Sequence, residues 1–138
     1  MSGSASTGGS GIYLLDSSVL ILSMRGDQPI RNRLAAASKL YLSSTALGEL
    51  YVGAYGSPTR PIGAIADVTA LASANTVLGP DADTALIYGR IKHDLKGKRL
   101  TMPDNDLWIA ATAIQYDVTL AARDAHFNWI EGLRVEQW

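Results

Sequence analysis

Four carboxylates, Asp16, Glu49, Asp106 and Asp124, each stand where a predicted strand or loop hands over to a helix. Such junctions can converge on one edge of an α/β sheet, and acids gathered there have a restricted chemistry. Two unit charges 4 Å apart repel by about 4 kcal/mol at an effective dielectric of 20, so a cluster demands protons or cations. The donors are all oxygen, with no cysteine in the chain and no metal-type spacing between His93 and His126. That set suits a hard cation, Mg²⁺ or Mn²⁺, and disfavours zinc. One such ion polarises a phosphodiester oxygen and lowers the pKa of bound water, and a second about 3.5 to 4 Å away stabilises the leaving oxygen. Hydrolysis of nucleic acid is the natural reaction.

Each acid taken singly also has a structural explanation. Asp16 before Ser17 reads as an Asx turn or a helix cap, and Asp104 and Asp106 read the same way. Glu49 alone reads as a solvated helix residue, but Leu47, Leu50, Tyr51, Val52 and Ala54 leave its helix little polar face and turn it toward a shared pocket. Asp124 beside Arg123 reads as a local ion pair or turn. His93 and His126 read as structural or solvated. The basic run Lys92 to Arg99 reads equally as a phosphate-holding segment and as a solvated helix end, and Trp108 reads as core before it reads as a base-stacking residue.

The elements that must position these acids alternate. Ile12-Tyr13-Leu14-Leu15 is a short apolar run ending at Asp16, the pattern of a central parallel strand. Ser17 to Met24 follows as a short helix stopped by Gly26 and Pro29, and a second helix is expected over Ile30 to Ser38. Leu40 to Ser43 is a strand, and Thr45 caps a helix running to Tyr55. Pro61 opens a helix whose stripe of Ile62, Ile65, Val68, Leu71 and Ala72 is expected to cover the sheet. Asn75 to Leu78 is a strand, and Asp81 or Asp83 caps a helix with Leu86, Ile87, Ile91 and Leu95 that ends at Gly97. Asp106 to Tyr116 is a buried helix, Val118 to Ala122 a strand, and Leu133 to Val135 a last strand after a turn at Asp124 to Trp129. The alternation predicts an α/β fold with a parallel sheet between helices, whose strand carboxyl ends share the edge where ligands bind. Asp16 follows a strand directly and Asp124 follows another within two residues; only tertiary packing brings Glu49 and Asp106 to them.

At 138 residues the chain fits one domain, expected over 12–138. Residues 1–11, nearly all Gly, Ser, Ala and Thr, read as a flexible tail or a cloning remnant. Charged residues are only 18% against 47% hydrophobic, which hints at an apolar interface. Twelve basic and 13 acidic residues leave a net charge of -1, so any attraction to nucleic acid is local. The lack of cysteine permits a reducing compartment, with cytoplasm the default, and the absence of a long apolar run or a signal-type start argues against membrane spanning and secretion.

Four segments in order resemble the PIN-domain ribonucleases, and specifically a VapC-type toxin of a toxin–antitoxin pair. They are Leu14-Leu15-Asp16-Ser17-Ser18-Val19-Leu20 with Arg25-Gly26; Leu42 to Leu50 with Gly53; Asp104-Asn105-Asp106-Leu107-Trp108-Ile109-Ala110-Ala111; and Thr119 to Phe127 around Arg123-Asp124. The resemblance covers Ile12 to Trp138 and implies a three-layer α/β/α PIN-like fold with about five parallel strands. It implies that Asp16, Glu49, Asp106 and Asp124 bind Mg²⁺ or Mn²⁺ and carry catalysis, with Asp104 left between capping and outer-sphere water. It further implies an endoribonuclease acting on structured RNA, often transfer RNA, a homodimer, and silencing by a cognate VapB-type antitoxin. Ser17-Ser18 departs from the commoner Thr after the first acid. A non-catalytic module that binds a basic partner through the acidic pocket is the rival reading. A phospho-accepting receiver domain fits less well, because Asp16 has no acidic neighbour and Ala121-Ala122-Arg123 offers no Lys.

Overall fold

Short runs of aliphatic residues without polar alternation suit strands covered on both faces, and Leu14, Leu15, Leu42, Leu120, Ala121 and Ala122 are all buried. The computed structural model describes residues 11–138. In chain order it contains β1 (Ile12–Leu15), α1 (Ser17–Met24), α2 (Gln28–Ala36), β2 (Lys39–Ser43), α3 (Ser44–Tyr55), α4 (Pro61–Ser73), β3 (Thr76–Leu78), α5 (Ala82–Gly97), α6 (Asp104–Gln115), β4 (Thr119–Ala122), a 3-10 turn (Ala125–Trp129) and β5 (Val135–Gln137). The five strands form one parallel sheet in the order β3-β2-β1-β4-β5. β1 is central, with Leu14 opposite Tyr41 on one side and Leu120 on the other. This is the expected three-layer α/β/α arrangement, and every strand points its carboxyl end to the same edge. No helix among the described residues is long and apolar enough to cross a membrane.

Most of the segment read as a tail, residues 1–10, lies outside the described residues. Gly11 carries a φ of +81°, and its carbonyl accepts hydrogen bonds from the N–H groups of Ser38 (2.7 Å) and Lys39 (3.1 Å).

Several boundaries differ from expectation for local reasons. Pro29, expected to follow the stop of α1, sits in the first turn of α2, where its missing N–H costs nothing. Asp27 caps that turn by accepting from Ile30 N at 3.1 Å. The cap of α3 is Ser43 rather than Thr45: its hydroxyl accepts from Thr45 N (3.1 Å) and Ala46 N (3.3 Å). α6 begins at Asp104, two residues before Asp106. α4 packs chiefly on α3 rather than spreading over the sheet, so Val68 is buried while Ile62 is 84% exposed. The last strand runs two residues later than Leu133 to Val135, because pairing starts where the Arg134 carbonyl accepts from Leu120 N at 2.8 Å and continues to Trp138 N on the Ala122 carbonyl at 3.0 Å.

Ser43 is fully buried and joins the end of β2 to the helix that carries Glu49. Ser43→Ala is expected to destabilise the protein by about 1–2 kcal/mol, the usual loss for a buried cap. Urea unfolding measures it, and an unchanged midpoint would remove the cap from the account.

Candidate functional site

Asp16 comes directly off β1, and its N–H donates to the Ala121 carbonyl of β4 at 3.0 Å. It holds the cap position of α1, yet its carboxylate makes no capping bond to the helix backbone. Oδ2 instead accepts from the Ser18 hydroxyl at 2.9 Å, and Oδ1 is buried without a partner. Capping therefore does not explain this acid, which is 4% exposed. Burial raises its pKa, the Ser18 hydroxyl and the nearby backbone N–H groups of Ser17 and Ser18 counter part of that, and the charge of Asp124 adds to it.

Glu49 lies within α3, whose other face is fixed by Ala46, Leu47, Leu50 and Ala54 in the core. Its Oε1 is likewise buried with no hydrogen-bond partner. Asp106, in the first turn of α6, is half-buried. Burial and then the charges of Asp16, Glu49 and Asp124 push its carboxyl up to about 6. All three other acids thus act on Asp106, which brings the four expected residues to one locality at the carboxyl edge.

Asp124 is the most exposed of them and also serves the chain: its Oδ1 accepts from His126 N at 2.9 Å and lies 3.3 Å from His126 Nδ1. Of the two local readings for Asp124, the turn is formed and the pair with Arg123 is not; that guanidinium donates to the Trp138 carbonyl at 2.9 Å. Asp104 faces away from the group, accepting at Oδ1 from Tyr88 Oη (2.8 Å) and Lys92 Nζ (2.9 Å). Those two partners, Lys92 first, hold its pKa below the usual carboxylate value.

Among the described residues, no three acidic or histidine side chains stand close enough to enclose an ion as they are placed. The fit to a cation rests on the orphaned oxygens. A buried carboxylate oxygen without a hydrogen bond is costly, and those of Asp16 and Glu49 lack any protein donor. A hard divalent cation is the partner that two such oxygens beside further carboxylates would take.

Beside Glu49 runs a cavity of about 310 Å³ between α1, α3 and α4, walled by Ile21, Met24, Arg25, Leu50 and Val68. A larger one, about 370 Å³, lies at the starts of β2 and β3, with Ser38, Lys39, Asn75 and Thr76 in its wall and no carboxylate. It is at the sheet's opposite edge and has no part in the acidic chemistry.

Sequence reasoning did not single out three features near the acids. The Ser18 contact follows from a serine two residues after the acid. The engagement of Asp104 by Tyr88 and Lys92, and the stacking of His126 on Trp129, come from separate elements or from a turn without a periodic pattern.

A five-stranded parallel sheet between helices, with acids drawn to its carboxyl edge, agrees with a PIN domain, and the PIN-domain profile matches residues 13–133. Ribonuclease VapC2 of Haemophilus influenzae is 32% identical over 131 residues, covering 91% of this chain and 97% of that protein. Ribonuclease VapC1 of the same species is 29% identical over 132 residues, covering 92% and 98%. The solved structure of VapBC2 from Rickettsia felis, bound to a DNA fragment from its promoter, superposes with a TM-score of 0.85 at 25% identity, again over 92% and 98%. The chain belongs to the PIN-domain family and, within it, to the VapC ribonucleases.

Proposed function

We propose that this chain is a metal-dependent endoribonuclease of the VapC toxin type, which hydrolyses RNA phosphodiester bonds and is silenced by a VapB-type antitoxin. The observation that carries the metal-dependent chemistry is the pair of buried, unpartnered carboxylate oxygens of Asp16 and Glu49 beside an Asp106 whose carboxyl is pushed up to about 6 by its acidic neighbours. The ribonuclease and toxin reading draws on the VapC relatives and on the VapBC complex.

Asp16, Glu49, Asp106 and Asp124 would hold the cation. Mg²⁺ or Mn²⁺ bound there supplies Lewis-acid polarisation of the phosphodiester and a water acidic enough to attack it at neutral pH. The chain's own residues set the stage for that chemistry. Ser18 fixes one oxygen of Asp16 and leaves the other without a protein donor; the Ser43 cap fixes the start of the helix that presents Glu49; the α6 amino terminus favours the ionised form of Asp106 against its burial.

An antitoxin segment with apolar side chains and a basic residue would fill the 310 Å³ groove and pair with the acids, because Arg matches clustered carboxylates. The exposed Val52 and Tyr55 of α3 and Ile62 of α4 offer apolar surface for a further interface, in line with a homodimer. Light scattering on the free toxin tests that, and a monomer at micromolar concentration would refute it. With RNA as substrate and a VapB-type antitoxin as partner, the chain would work in the cytoplasm.

The direct experiment is cleavage of a small-RNA pool by purified protein with Mg²⁺, with Mn²⁺ and with chelator. Cutting that needs the cation supports the nuclease; no cutting in any cation leaves the acidic pocket as a binding module. Glu49→Gln is expected to weaken Mn²⁺ binding about tenfold or more and to slow cleavage while the fold stays intact, since it removes one charged oxygen ligand. Unchanged cleavage by the folded variant would take Glu49 out of the site.

A further inference from the structure

The 3-10 turn after β4 builds a layered aromatic step beside the acids. Phe127 is fully buried and anchors the turn; Trp129 is half-buried against the core; His126 lies on the indole with ring centroids 4.3 Å apart and planes 28° from parallel. The His126 side chain is 58% exposed, and its Nδ1 is 3.3 Å from Asp124 Oδ1. From the interior outward the order is core, indole, imidazole and solvent. Asp124 fixes the step by accepting from the His126 backbone N–H, so little freedom is left to lose when a third ring arrives.

The other aromatic stack at this edge is not open in the same way. Tyr88 lies on Trp108 at 4.1 Å and 10°, but Lys92 Nζ sits 5.8 Å from the Tyr88 centroid and is fastened to Asp104. No cation covers the His126–Trp129 pair among the described residues. Lys98, the residue that ends α5, shares a crevice with Trp129, as do Arg90, Asp94 and Glu131.

We infer that His126, backed by Trp129, is a stacking platform for an unpaired RNA base next to the phosphodiester that is cut. The inference rests on the ribonuclease reading above and names its substrate class: a single-stranded or looped RNA segment whose base can leave its own stack. Aromatic residues, histidine included, recognise unpaired RNA bases by stacking. Each such contact is sequence-tolerant and strong enough to matter in a chain whose net charge of -1 gives no general pull on RNA.

The test uses full-length protein carrying Asp16→Asn, without added metal, and fluorescein-labelled oligoadenylate as probe. An abasic ribose-phosphate chain of equal length is the control. His126→Ala and His126→Asn are expected to weaken oligoadenylate binding about tenfold, His126→Phe to restore it, and none of the three to alter binding of the abasic chain. With Asp16 intact and metal present, Ala raises KM while Phe leaves it near the parent value. Loss of binding by Phe equal to that by Ala would assign His126 to its contact with Asp124 and overturn the platform, as would equal losses on the abasic chain. Unaltered binding by Ala would do the same. Failure of the His126-intact protein to cut RNA in any cation sinks the ribonuclease reading, whatever the His126 variants do; normal cutting with base-independent binding sinks the platform alone.

Discussion

Asn in place of Asp16 is expected to lower metal-dependent RNA cleavage by roughly a thousandfold, about 4 kcal/mol of lost transition-state stabilisation. The fold should not suffer. Asp16 makes no backbone cap, its Oδ1 has no partner, and burial already disfavours its charge. An amide of the same shape still accepts from Ser18 through its carbonyl oxygen. The metal-free variant should therefore melt at or above the parent's temperature at neutral pH, while added Mn²⁺ raises the parent's melting point and leaves the variant's where it was. A variant that cuts RNA normally, or that melts well below the parent without metal, would contradict the role argued for Asp16.

The second large effect is one of pH and belongs to Asp106. Its carboxyl is raised from 3.8 to about 6 by burial and by Asp16, Glu49 and Asp124. Below pH 4 both the folded and unfolded chains carry the proton, and the group contributes nothing. Between pH 4 and 6 the unfolded chain has released the proton while the folded chain keeps it, so metal-free stability falls as pH rises through this window, and above pH 6 the penalty is complete. Asp106→Asn removes that penalty. After allowance for solvent screening of a half-exposed site it is on the order of 1 kcal/mol, or about 2–4 °C in melting temperature above pH 6. Metal binding runs in the opposite sense, because the cation competes with the proton. Mn²⁺ affinity in the parent should drop about tenfold per pH unit below 6, and the slope should flatten in Asp106→Asn. Calorimetric titration at several pH values would decide it, and a parent affinity independent of pH from 5 to 7 would refute the shared site.

The sheet was largely legible because its strands are apolar runs with sharp ends. Leu14-Leu15-Asp16 and Ala121 to Asp124 each switch from buried aliphatics to an acid one or two residues past the strand, which marks both the strand end and a candidate site residue. Glu49 and Asp106 could be named but not placed, since a position on a helix says nothing of which strand end it meets. Local pattern failed where a polar residue did structural work. Ser43 looked like the last residue of a strand and proved also to be a cap, and Glu136 and Gln137 in the edge strand carry no apolar signal. Leu86, one of the apolar residues of α5, is 76% exposed, because Ile91 and Leu95 define the inward face and Leu86 lies off it. The role of Asp104 was open between capping the helix and holding outer-sphere water, and its contacts with Tyr88 and Lys92 on α5 lie more than ten residues away in the chain.

The order β3-β2-β1-β4-β5 carries a last consequence for the timing of synthesis. β1 emerges first but finds its partner β4 only after about a hundred further residues, with Tyr13 opposite Thr119, and Asp16 is tied by its N–H to Ala121. A nascent chain halted before β4 holds Asp16, Glu49 and Asp106 without the strand that ties Asp16 at Ala121, and Asp124 does not yet exist. On the nuclease reading proposed above, completion of the acidic edge is thereby postponed to the final stretch of translation, and an antitoxin need only be waiting when the last strands close.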